Sequence, residues 1–191
     1  MKTLNQYIQE KLIINKDYRE VKIVVKSFYE LRKIIEDRYK NLGPGTEQKP
    51  IDFNDIDVSN LDSFYNDEDM GIFEGTKFKY IDISNWNVSN VKSTICMFYK
   101  CDELESVGDL SNWNLSNVND MYSMFYECKE LETVGDISKW DVSNVTNMSF
   151  MFYNCVSFNQ DISSWNVSNV KYYLSMFHNC PIKEEYKPKF K

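Results

Sequence analysis

The sequence is poor in the residues that most often build catalytic, metal and phosphate sites. Its 191 residues include a single histidine, His178, with only six glycines and four prolines. It has no glycine-rich phosphate loop and no H-E-x-x-H motif, and the one late histidine leaves no serine–histidine pair. We therefore predict a non-enzymatic protein without a cofactor or metal. Catalysis by pairs among its 29 acidic residues is the least favoured alternative.

Long apolar segments and an excess of basic charge are also missing. No apolar run approaches the roughly 20 residues of a membrane span. Gln6, Glu10 and Lys11 interrupt the apolar run that a signal peptide needs. The net charge of −7 argues against direct binding to nucleic acid and favours a protein partner with a basic surface. We expect a cytoplasmic protein that binds neither nucleic acid nor membrane.

One six-residue phrase recurs along most of the chain. WNVSNV stands at 86–91 and 165–170, with near copies at 113–118 and 140–145. The tryptophans are separated by steps of 27, 27 and 25 residues, and Met-Phe pairs and cysteines keep the same steps. A worn copy begins at 55–64. A fixed period of this size predicts a solenoid, here with one degenerate and four clear coils over 51–180.

Each repeat unit contains two patterns. In 143–155, four apolar residues fall at helical spacings of 3, 4 and 3: Val145, Met148, Phe152 and Cys155. Ser143 precedes them as a predicted helix cap. The preceding stretch 135–142 is too short for a helix and reads as a strand and bend. We therefore predict an α/β solenoid with one short strand and one short helix per coil.

The repeat D-[IL]-S-x-W-x-[VL]-S-N-V followed by M-F-x-x-C resembles the short-repeat branch of the BspA-like leucine-rich repeat family over roughly 55–180. The resemblance implies a right-handed horseshoe solenoid. Such repeats occur in bacterial surface proteins that bind other proteins and in proteins of phages and mobile elements. It implies an inhibitor that binds a basic, nucleic-acid-binding host defence protein. The alternative is a surface adhesin from which the export signal has been removed.

The segments flanking the repeats differ from them in composition. Residues 1–50 predict an α-β-α N-terminal cap, with a first helix over 3–12, a strand over 20–26 and a second helix over 27–43. Ser27 and Glu30 form a capping box for the second helix. A separate partner-binding domain is the rival interpretation. Residues 181–191 form a charged tail, and an open last coil is compatible with end-to-end stacking of a second copy.

Several side chains recur once per repeat. Cys101, Cys128, Cys155 and Cys180 are predicted to be small core residues. Cys96 lies five residues after Val91, about 500° of helical rotation, and is predicted to be exposed. Asparagines 90, 117, 144 and 169 are predicted to bond the backbone between coils. Aspartates 82, 109, 136 and 161 are predicted to accept from backbone amides, with calcium binding as the alternative.

Aromatic residues supply the candidate binding surface. Tyr99, Tyr126 and Tyr153 lie about 120° from the helical core direction, Phe150 points outward and Tyr172 points partly outward. Exposed aromatic side chains are typical anchors for protein partners. Two alternatives stay open: the row merely covers the shoulder of each coil, or binding uses the concave positions Asn85, Asn112, Lys139 and Ser164.

Overall fold

The computed structural model describes residues 22–66 and 68–190. Two short parallel pairs organise its start: β1 (Ile23–Val24) pairs with β3 (Ile56–Asp57), and β2 (Ile51–Asp52) pairs with β4 (Ile81–Asp82). The helix α1 (Phe28–Leu42) lies between β1 and β2, and two 3-10 turns follow at Ile137–Lys139 and Glu184–Tyr186. Turns and single-residue bridges make up the rest of the described repeats.

The helix α1 begins and ends where its sequence signals indicate. The Ser27 side chain accepts a hydrogen bond from the Glu30 amide over 3.2 Å. At the other end, Gly43 has a φ of 76° and donates to the Tyr39 carbonyl over 2.8 Å. The helix predicted over 27–43 is confirmed, and its apolar face is buried in the same core as the repeats. The predicted first helix, over 3–12, lies outside the described residues.

The predicted α/β solenoid, a horseshoe with one strand and one helix per coil, is wrong. Within the described residues, α1 is the one α-helix and it precedes the repeats, while the named strands form only two two-stranded sheets. The reason lies in the backbone of the Met-Phe segment. Phe150 has a φ of 59°, and its amide donates to Leu174 in the next repeat rather than to the carbonyl four residues back, as a helix requires.

Positive φ values recur at two positions in every clear repeat. They are found at Cys96 and Lys100, Ser123 and Glu127, Phe150 and Asn154, and Ser175 and Asn179. L-residues are uncommon in this region of φ/ψ space, so a helical template does not anticipate it. Because of these residues, the segment folds as successive tight turns that direct alternate amides toward the following repeat.

Hydrogen bonds between neighbouring repeats replace those of the expected helices. Single-residue parallel bridges connect Ser63, Ser93, Asp120, Asn147 and Tyr172 in turn. Beyond the bridges at Ser93, Asp120 and Asn147, four alternate amides donate to carbonyls of the next repeat. In the second clear repeat the donors, at 2.8–3.0 Å, are Met121, Ser123, Phe125 and Glu127. This regular ladder sets the spacing at which equivalent side chains meet.

The core is the part of the repeat that the helical spacing predicted correctly. Val145, Met148, Phe152 and Cys155 are all buried, although no helix carries them. Their equivalents in the other repeats pack against them, and a column of phenylalanine rings runs through the core at centroid distances of 5.4–6.0 Å: Phe73, Phe98, Phe125, Phe152 and Phe177. Residues spaced 3 and 4 apart thus share a buried side without helical geometry.

The recurring phrase itself is used for contacts between repeats. The indole Nε1 of Trp140 donates to the Leu110 carbonyl over 2.9 Å, and the side-chain Nδ2 of Asn144 donates to the Ser116 carbonyl over 2.7 Å. The prediction that the asparagine row bonds the backbone between repeats is confirmed at distances of 2.7–2.8 Å for Asn90, Asn117, Asn144 and Asn169. The constancy of the phrase is therefore explained by the fold.

Ser143 has a role different from the predicted helix cap. Its amide and its hydroxyl both donate to the Asp141 carboxylate, over 3.0 and 2.6 Å. This arrangement is an Asx turn, in which a side chain two residues earlier closes the backbone. The phrase therefore encodes a turn followed by a bond to the preceding repeat, rather than a helix start.

Candidate protein-binding surface

Three tyrosines form a stacked row along one side of the repeats. The rings of Tyr99 and Tyr126 are 4.7 Å apart, those of Tyr126 and Tyr153 are 4.8 Å apart, and His178 stacks on Tyr153 at 4.8 Å. Each residue directly precedes a positive-φ position, so the ladder brings the rings into register. His178 therefore occupies the tyrosine position of the last repeat. Burial raises the pKa of Tyr126, and the Glu127 carboxylate adds to the shift, which keeps the phenol neutral.

Phe150 lies against this row instead of standing clear of the surface. Its ring meets Tyr122 edge-on at 5.8 Å and Tyr126 at 6.4 Å, and it is tilted against Tyr153 at 5.9 Å. The side chain is half-buried. The fully outward direction predicted from helical rotation is wrong because the residue has a positive φ. Phe150 nevertheless lies with the tyrosines that the sequence singled out.

An open cleft of about 660 Å³ continues from Phe150 to the last repeat. Tyr122, Lys171, Tyr172 and Leu174 line it. Tyr172 is 63% exposed and Leu174 is 68% exposed, the largest exposure among the large hydrophobic side chains of the described residues. The structure thus brings Tyr172 together with Phe150, as the candidate surface requires.

Tyr122 and Leu174 are the residues that sequence reasoning missed. They occupy the same position in their repeats and alternate with the buried positions Met121 and Ser123. An alternating, period-two template would have placed them on the outside. We define the aromatic surface as the set that these contacts connect: Tyr99, Tyr122, Tyr126, Phe150, Tyr153, Tyr172 and Leu174.

The cysteines do not form a reactive site. Cys96 was predicted to be exposed, and this is wrong: it is only 9% exposed, because the turn that replaces the helix turns it inward. Burial, together with nearby Glu74 and Asp120, raises the pKa of its thiol to about 12, so it carries no nucleophilic thiolate at neutral pH. The prediction of core positions is confirmed for Cys101, Cys128 and Cys155, whereas Cys180 is half-buried.

The aspartate row is engaged in local turns. The Asp136 carboxylate accepts from the Ser138 hydroxyl over 2.6 Å and from its amide over 3.2 Å, and Asp161 does the same with Ser163. These bonds, led by the serine hydroxyls, lower the pKa of both carboxyls. The predicted structural role is confirmed for this row. Within 22–66 and 68–190, no group of three or more metal-ligating side chains could hold a metal ion.

The fold and these side chains define a repeat protein with an aromatic surface that extends over its four clear repeats. In the part of the chain that the structure describes, no helix has the length and apolar character to cross a membrane. The chain belongs to the DUF285 family, described as Mycoplasma protein of unknown function, whose model matches residues 48–131 and 67–187. No curated protein and no solved structure matches it. The family description names no activity.

Proposed function

We propose that this is a non-enzymatic protein-binding protein and that its aromatic surface holds the partner. The observation that carries the proposal is the identity of Phe150 and Tyr172. The positions equivalent to Phe150 hold Cys96, Ser123 and Ser175, and those equivalent to Tyr172 hold Ser63, Ser93, Asp120 and Asn147. The turns are built without an aromatic ring at either position. Large aromatic anchors at a partly exposed cleft are typical of the centres of protein interfaces.

The chemistry of the surface suits binding better than catalysis. Its side chains are phenols, a phenyl ring and an aliphatic chain, which offer contact area and hydrogen bonds at low cost in conformational entropy. The neighbouring repeats hold the rings in a fixed stack, so little further ordering is needed when a partner binds. The phenol of Tyr126, with its raised pKa, takes part as a neutral group.

The charge of the chain favours a partner with a basic surface. The net charge is −7, and exposed carboxylates recur at Asp109, Asp136 and Asp161. Electrostatic complementarity of this kind accelerates association and selects among partners. Such a partner fits either role implied by the BspA-like resemblance. A basic, nucleic-acid-binding host protein would support an inhibitor, and an extracellular glycoprotein would support an adhesin.

The test is to capture a partner with the wild-type protein, purify it and measure its affinity for variants by calorimetry. We expect Phe150→Asp to weaken binding by at least about tenfold, because it places a charge in an apolar contact. Tyr29→Asp is the matched control, since Tyr29 is an exposed aromatic residue on α1, outside the aromatic surface.

A second variant separates loss of binding from loss of folding. Phe150→Ser introduces the residue found at the equivalent positive-φ positions Ser123 and Ser175, so the backbone accepts it. Both Phe150 variants should keep cooperative unfolding and lose affinity. Wild-type affinity in the two folded variants would overturn the proposed surface.

A further inference from the structure

Among the residues that the structure describes, the inter-repeat ladder ends in unpaired donors at its last repeat. In the preceding repeat, alternate amides donate to the next repeat: Met148 to Tyr172, Phe150 to Leu174, Phe152 to Met176 and Asn154 to His178, over 2.7–3.0 Å. The equivalent amides of the last repeat have no acceptor within the described residues: Tyr173, Ser175, Phe177 and Asn179. We call this row of four N–H groups the terminal edge.

The opposite end of the ladder is closed by a side chain. The guanidinium of Arg32, on α1, donates through Nη1 to the carbonyls of Ile72 over 2.9 Å, Glu74 over 3.2 Å and Gly71 over 3.5 Å. Ile72 is equivalent to Met97 in the following repeat, and the Met97 carbonyl accepts a hydrogen bond from the Phe73 amide of the repeat before it. One cationic side chain therefore satisfies the Ile72 and Glu74 carbonyls at the start of the ladder, and no described residue does the same for the donors at its end.

The C-terminal tail covers the last repeat only in part. The Ile162 amide donates to the Tyr186 carbonyl over 3.0 Å, as the Leu110 amide donates to Val134 within the repeats, so the tail continues that side of the ladder. Beside the terminal edge, the tail supplies one stacked ring, with Phe190 at 4.2 Å from Tyr173. Tyr173 remains 43% exposed, although its equivalents Thr94, Met121 and Met148 are fully buried.

The terminal edge offers donors, and this selects among possible occupants. A second copy related by a two-fold axis would bring N–H groups against N–H groups, which cannot bond to one another. A second copy stacked head to tail would need the acceptors that Arg32 and α1 already cover. A segment from another protein that folds into the same turns as a repeat presents a row of backbone carbonyls that α1 does not cover, and so fits both requirements.

The charged side chains near the terminal edge indicate the charge of the segment that it binds. Lys171 is exposed and lines the cleft next to Tyr172, and the Lys187 ammonium lies 5.7 Å from the centre of the Phe177 ring. Lys189 is exposed next to Phe190. Lys171 and Lys189 thus lie near the amide donors in a chain that is acidic overall, while Lys187 is paired with the Glu184 carboxylate at 2.5 Å. Carboxylates are the charged groups that such a site favours.

We propose that the terminal edge binds an acidic segment of a protein partner that folds into the same turns as a repeat and adds one more row of hydrogen bonds to the ladder. Its carbonyls would accept from the amides of Tyr173, Ser175, Phe177 and Asn179, and its apolar side chains would enter the cleft beside Leu174. This proposal rests on the proposed function, that the protein binds other proteins. It adds the backbone conformation and the local acidic charge of the bound segment, while the acidic repeats face the basic surface of the same partner.

A peptide taken from the protein itself is the probe. Residues 118–128, synthesised with Cys128→Ser, carry two carboxylates and contain the four carbonyls that accept equivalent bonds inside the chain: Asp120, Tyr122, Met124 and Tyr126. Labelled peptide should bind the full chain saturably in fluorescence anisotropy, and a scrambled peptide should not. On binding, the four terminal-edge amides should become protected from hydrogen exchange measured by NMR.

A matched pair of variants isolates the contribution of one donor, the Tyr173 N–H. Tyr173→Pro deletes an N–H that bonds nothing inside the described chain, and the preceding residue lies in an extended bridge that tolerates a following proline. Tyr173→Ala removes the same ring and keeps the N–H. We expect the proline variant to bind the peptide at least about tenfold more weakly than the alanine variant.

Three results would overturn the proposal. The first is equal binding by the two Tyr173 variants. The second is protection of the terminal-edge amides before peptide is added, and the third is protection that rises with protein concentration alone, which would identify a second copy as the occupant. Exchange in the native protein stays informative even if Tyr173→Pro fails to fold. If partner capture depends on Phe150 while the peptide fails, the proposed function stands and this inference falls.

Discussion

Replacing Arg32 by methionine tests whether the end of the ladder must be capped. The side chain is 18% exposed and donates to Ile72 and Glu74 at good distances, with a longer contact to Gly71. Within the described residues, the Ile72 and Glu74 carbonyls accept no other hydrogen bond. Hydrogen bonds to a charged group contribute about 1.5–3 kcal/mol each, and two that share one donor group are not additive. We expect the free energy of unfolding to fall by about 2–4 kcal/mol.

Urea unfolding followed by tryptophan fluorescence measures this loss, since the four tryptophans all lie in the repeats. Glu36→Ala is the control. It removes the exposed ion pair of Arg32 at 2.9 Å, and such surface pairs on a helix contribute about 0.3–0.5 kcal/mol. If Arg32→Met costs no more than Glu36→Ala, the carbonyls do not need the guanidinium. Capping of the carbonyls at the start of the ladder would then not explain how this end differs from the terminal edge.

Two further predictions concern the repeats. Asn144→Ala should lower the free energy of unfolding by about 0.5–1.5 kcal/mol in urea titration, because it removes the bond to Ser116, and no loss would contradict a role between repeats. Stability should also fall as pH drops below the ordinary aspartate pKa of 3.8, since the folded-state pKa is lowered in Asp109, Asp136 and Asp161. Ser138→Ala should reduce that loss of stability at low pH. An unchanged dependence of stability on pH would show that the bond from Ser138 to Asp136 does not contribute to it.

The sequence predicted which residues are buried and in contact better than it predicted the conformation of the backbone. The repeat register, the buried face and the asparagine contacts follow from spacing alone, because they depend on which residues recur. The prediction of a helix in each repeat was wrong, because tight turns with positive φ, as at Phe150 and Asn154, also bury residues spaced 3 and 4 apart. Nothing in the helical template distinguishes these two ways of burying the same side chains.

The candidate surface was predicted in part for the same reason. Tyr99, Tyr126 and Tyr153 recur at one position, so their row could be foreseen. The directions of Cys96 and Phe150 were derived from helical rotation and failed with the helix. The terminal edge depends on which carbonyl each amide reaches, and that pairing emerges only when neighbouring repeats are placed side by side.

The central claim is that a protein partner lies on the aromatic surface beside the last repeat. Photo-crosslinking tests it most directly, with p-benzoylphenylalanine placed at Tyr172 or, as a control, at Tyr29, which are 63% and 53% exposed. We expect a covalent adduct with the captured partner from position 172 and none from position 29. Crosslinking from position 29 alone would place the partner at α1 and contradict the account.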